Sequence, residues 1–112
     1  MLLPIHTRTN TLIDAEPLGS SYTSSSEDIR NCVGYAAQFV WTDGSSTSAS
    51  VVVQGSLDDT TYTDISSFNI TTTSGSALIN VERAMYTFVR FVFTRTGGTG
   101  GTISGKISVK VQ

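Results

Sequence analysis

Three carboxylates crowd one short stretch: Asp58, Asp59 and Asp64 all fall within VVVQGSLDDTTYTDI, residues 51–65. Oxygen donors around a turn are what Ca²⁺ accepts. The spacing departs from the EF-hand loop, however, and aspartates close such a turn unaided by accepting bonds from nearby backbone N–H groups. No metal is assigned on this pattern. His6 is the only histidine, so a nucleophile, base and acid arrangement would have to recruit it from the N-terminal stretch. Cys32 is the only cysteine, which excludes an intrachain disulfide or a zinc thiolate cluster. With Arg30 as its one basic companion, it reads as a small buried hydrophobe. The glycines of GGTGG, residues 97–101, are followed by neither a helix nor Gly-Lys-Ser/Thr, so they read as a hairpin tip and not as a phosphate cradle. No acid–base or nucleophile set is visible, and the expectation is a non-enzymatic protein without a cofactor.

Binding remains as the chemistry these residues could perform. Loops of a β-sandwich gather at the ends of its sheets, so Asp43, Asp58, Asp59 and Tyr62 are the candidates for a loop site, with a sugar as the ligand class. Tyr35, Phe39 and Trp41 could form a stacking platform if exposed, but a small sandwich needs such rings inside. Arg90 lies on an otherwise apolar strand and is expected to pair with Asp64 or Glu82.

The elements that must hold these residues are strands. VGYAAQFVWT, residues 33–42, places Tyr35, Ala37, Phe39 and Trp41 on one face by period-two alternation. Residues 49–57 put Ala49, Val51, Val53, Gly55 and Leu57 in one register, and the Asp58–Asp59 turn leads into a returning strand, which makes a β-hairpin. Short strands follow at 62–70 and 77–81. In YTFVRFVFTR, residues 86–95, Val89, Phe91 and Phe93 share a face, while Ile103, Ile107, Val109 and Val111 alternate with polar residues in the last segment. ERAMY, residues 82–86, is the one place for a helical turn, and Ile29 is a core plug after a serine-rich stretch. The fold class is all-β: an antiparallel, jelly-roll-like sandwich of about seven or eight strands.

Residues 1–20 show no clear period and are broken by Pro4, Pro17 and Gly19. They read as an extended N-terminal arm ahead of a sandwich domain at 21–112. Leu2, Leu3, Ile5, Leu12 and Ile13 are too apolar for a solvated tail, so the arm adds to a sheet edge or lies on a neighbouring copy. The run is too short for a signal peptide or a membrane span.

At 112 residues the chain fits one domain. Only 14% of residues are charged, whereas Ser and Thr fill 33 positions, giving a hydroxyl-rich, weakly charged surface. A net charge of −2 with scattered Lys and Arg offers no basic field for phosphates, which argues against nucleic-acid binding.

Three segments in order, YAAQFVW, VVVQGSLDDTTYTDI and YTFVRFVFTRTGGTGGTISGKISVK, resemble a group of small phage virion-associated β-sandwich proteins. The resemblance runs from about Ile29 to Lys110. The hairpin block is also similar, more loosely, to discoidin-type and galactose-binding-like sandwiches. Tyr62 stands where that pattern often has Trp, and Asp59 where Gly is common. The resemblance implies a structural part of a phage particle: a capsid decoration, head-fibre or tail-associated subunit. Its partners would be copies of itself, by analogy a trimer, and other virion proteins such as the major capsid or tail protein. It would fold in the host cytoplasm and end in the virion. The rival reading is a carbohydrate-binding adhesion module at a fibre or tail tip, bound to a host surface glycan.

Overall fold

The computed structural model describes residues 6–30 and 32–111, among which there is no helix. Nine strands run in chain order: β1 (His6–Pro17), β2 (Tyr22–Thr23), β3 (Glu27–Asp28), β4 (Cys32–Thr42), β5 (Ser45–Ser56), β6 (Thr63–Ile70), β7 (Gly75–Val81), β8 (Phe88–Thr99) and β9 (Thr102–Val111). They form two antiparallel sheets, one in the order β1-β9-β4-β7 and the other β2-β8-β5-β6, with β3 also pairing β8. If β2 and β3 count as two pieces of one strand position, this is the order of an eight-stranded jelly roll. The expected fold class is therefore the observed one.

Alternation explains why these segments became strands. Tyr35, Ala37, Phe39 and Trp41 of β4 point between the sheets, as do Val89, Phe91 and Phe93 of β8 and Ile103, Ile107 and Val109 of β9. All are buried, whereas most of their neighbours on the other face are half-buried or exposed and mix polar residues such as Gln38, Arg90 and Lys106 with apolar ones such as Val40 and Val92. Phe39 meets Phe91 edge-on at 4.7 Å between centroids, and Trp41 stacks on Phe68 at 5.8 Å. Gly105 makes room for the first pair, since a Cβ there would lie 2.9 Å from the Phe39 ring. Ile29 is buried as expected.

Several expectations are corrected. Residues 6–17 do add to a sheet edge, one of the two places expected for the arm, but as a strand of the sandwich itself: β1 pairs with β9 from His6↔Val111 to Pro17↔Thr102. Leu12 and Ile13 are buried in the chain's own core, so neither is an assembly contact. Leu2, Leu3 and Ile5 lie outside the described residues. The GGTGG segment is no hairpin tip, because Gly97 and Gly98 continue β8. Gly100 and Gly101, at φ +73° and +76°, turn the chain from one sheet into the other. A Cβ on Gly101 would lie 2.2 Å from the Thr42 carbonyl oxygen, which excludes a side chain at that corner. ERAMY forms an irregular connection. Finally, β5 stops at Ser56, and Leu57 turns out into solvent at 74% exposure.

Candidate functional site

The β5–β6 connection joins neighbours within one sheet, so it is a hairpin, and its shape follows from Ser56 and Asp58. The buried Ser56 hydroxyl accepts the backbone N–H groups of Asp58 (3.2 Å) and Asp59 (3.0 Å). It donates in turn to Asp58 Oδ1 at 3.0 Å. The same oxygen accepts the N–H groups of Thr60 and Thr61, each at 2.9 Å. These bonds, Thr61 first, then Thr60 and the Ser56 hydroxyl, favour the ionised carboxylate and hold Asp58 below the usual Asp range. Asp59 takes the left-handed φ of +61° that the turn requires.

A polar chain leaves this turn across the outer face of the sheet. The Tyr62 hydroxyl donates to Asp59 Oδ1. Burial, and then this bond to an acceptor, push the Tyr62 phenol upward. Arg90 lies over the Tyr62 ring at 3.8 Å from its centroid. Arg90 Nε donates to Gln54 Oε1 at 2.8 Å, and Gln54 Nε2 donates to Asp64 Oδ1 at 2.9 Å. The expected Arg90 partnership with Asp64 thus runs through Gln54. The three carboxylates do not pool: Asp58 binds the turn, Asp59 the Tyr62 hydroxyl and Asp64 the Gln54 amide.

The four loop candidates do not assemble into one site. Asp58, Asp59 and Tyr62 share the hairpin, but Asp43 lies at the β4–β5 corner, at the other end of the twelve-residue β5. At roughly 3.3 Å per residue that separation is about 36 Å. Asp43 is held there with φ +60° and its N–H on Ser74 Oγ at 3.2 Å. Tyr35, Phe39 and Trp41 are core residues and form no exposed platform. Cys32 is half-buried against the core, and burial raises its thiol pKa.

Beside the hairpin the structure opens a feature that the sequence concealed. Leu57, Ile65 and Met85, exposed at 74%, 40% and 84%, line an apolar groove with Gly55, Thr61, Thr63 and Tyr86. Its volume is about 540 Å³. Tyr86 forms its inner wall: the ring packs on Gly55, where a Cβ would lie 2.7 Å away, and its hydroxyl bonds the buried Tyr35 hydroxyl at 2.7 Å. Met85 and Leu57 line one groove because the β7–β8 connection lies against the end of β5, where the Thr87 N–H donates to the Ser56 carbonyl at 3.0 Å.

No known protein family matches the chain, and no curated protein sequence does. The fold is similar to that of the SPBc2 prophage-derived protein YomS, with a TM-score of 0.62 at 14% identity over 98% of this chain and 97% of that one. It is also similar to a Bacillus endospore appendage protein of a disulfide-linked pilus family, with a TM-score of 0.56 at 16% identity, covering 96% and 89% of the two chains. A chain of the infectious bursal disease virus Gx strain matches with a TM-score of 0.56 at 13% identity over 96% of this chain and 32% of that one. At these identities the likeness shows a shared fold.

Proposed function

We propose that the protein is a non-enzymatic structural subunit of a phage particle, a capsid decoration, head-fibre or tail-associated component, that works by multivalent assembly. Its partners are copies of itself and other virion proteins. The observation that carries this reading is the end-to-end correspondence with a prophage-derived protein, in which the match covers almost all of both chains. Two further neighbours, a protein of a pilus family and a chain of a virus, come from assemblies, which supports the same reading. The surface agrees with it, being hydroxyl-rich and weakly charged, with an exposed apolar groove of the kind that marks protein contacts.

The test is the composition of purified particles. Phage particles from a host carrying this sequence should contain the chain by mass spectrometry, in a copy number set by the particle's symmetry. Particles that lack the chain, from cells that express it, would overturn the proposal.

A further inference from the structure

The apolar groove lined by Leu57, Ile65, Met85 and Tyr86 has no occupant within the described residues. Single exposed apolar side chains are ordinary on a protein surface, but three around one concave site mark a contact. The groove lies at a defined end of the sandwich. β5 finishes there at Ser56 and β6 begins there at Thr63. His6, paired to Val111 as Cys32 is, opens β1 at that same end. The residues just before β1 are Met1-Leu2-Leu3-Pro4-Ile5, four apolar side chains and a proline.

We infer that the groove receives Met1–Ile5 of a second copy of this chain; the inference rests on the assembly reading above and names its contact. A second copy fits better than the chain's own segment for a reason of reach. β1 is at one margin of its sheet, whereas the groove lies at the β5–β6 side of the other sheet. Two to three strand spacings of about 4.8 Å and a sheet separation of about 10 Å put the groove roughly 14 to 17 Å from β1. Five extended residues span at most about 17 Å, so within one chain only the outermost residues would arrive, and Leu3 and Ile5 would fall short. A neighbour placed end to end presents all of them. β6 is a sheet margin beside the groove, so an incoming extended segment also finds free backbone donors and acceptors. Because segment and groove lie at the same end, two copies exchange segments reciprocally, and the smallest closed assembly is a pair.

The test uses two full-length double variants and light scattering. Leu57→Asp with Met85→Asp spoils the groove; Leu2→Asp with Leu3→Asp spoils the segment. The wild type is expected at two or more chains, each variant alone at one chain, and an equimolar mixture of the two at two chains, since one intact groove then meets one intact segment. Circular dichroism checks that the fold is kept, which the exposure of Leu57 and Met85 favours. As a second readout, a labelled MLLPIHTR peptide should bind the segment variant saturably and lose that binding when Met85→Asp is added. Variants that keep the wild-type mass, or a mixture that stays at one chain, would overturn this contact while leaving assembly intact. A wild type at one chain would overturn assembly and contact together.

Discussion

The guanidinium carbon of Arg90 lies 3.8 Å from the centroid of the Tyr62 ring, which pins the returning limb of the acidic hairpin to the central strand β8. The same Arg90 is tied through Gln54 to Asp64, so one cation organises both sides of the hairpin base. A double-mutant cycle with Arg90→Ala and Tyr62→Ala, read by urea unfolding, should return a coupling of about 0.5–2 kcal/mol. Simple additivity would show that the stack contributes nothing.

Tyr35 makes stability depend on alkaline pH. Burial, reinforced by the Tyr86 hydroxyl and charge, pushes its phenol far above the ordinary value near 10. The folded state therefore keeps a proton that the unfolded chain loses. That stability is complete below about pH 10 and is lost as pH rises further, at about 1.4 kcal/mol per pH unit for one such group. Tyr35→Phe should cost about 1 kcal/mol at pH 7 through the lost Tyr86 bond and should flatten the alkaline slope by one proton. An unchanged slope above pH 10 would show that Tyr35 does not carry it.

Asp58 makes the opposite case at acid pH. Its folded pKa lies below the ordinary Asp value near 3.9, so what its hydrogen bonds contribute is present above that value and lost as pH falls through the lower folded one. Asp58→Ala should speed amide hydrogen exchange at Thr60 and Thr61, the two backbone donors to Asp58 Oδ1, while β4 and β9 amides keep wild-type protection. Unchanged exchange at both threonines would contradict the turn mechanism.

Ile13 separates a docking segment from a structural strand. It is fully buried and belongs to β1, so Ile13→Ala should cost about 2–4 kcal/mol. Deleting residues 1–14 should unfold the domain or drive it to aggregate by stripping the margin of β9, whereas deleting residues 1–5 should leave the thermal midpoint within a few degrees of wild type. A folded, monodisperse 1–14 deletion would contradict the place assigned to β1.

The sequence was most legible where one face buries and the other meets water. β4, the first half of β8, and β9 alternate cleanly, and their inward residues could be named in advance. β1 was opaque because its alternation is broken by register shifts between Thr11 and Ile13 and between Ile13 and Glu16. Adjacent Leu12 and Ile13 are both buried as a result, and Ala15 sits at φ +50°. Leu57 was placed in one register with Ala49, Val51, Val53 and Gly55, one step too far, past the point where Ser56 captures the backbone of the turn. Asp43 and Asp58 are both loop aspartates, but which end of a sandwich a loop occupies depends on the strand order that connects them. The placing of Leu57 and Met85 on one groove depends on the same long-range topology and has no local signal.

Assembly is the central claim, and the mass of the full-length chain in solution tests it most directly. Light scattering across a wide concentration range should give a discrete whole-number multiple of 11.9 kDa, with two chains as the smallest species. A mass of 11.9 kDa at every concentration would contradict self-assembly.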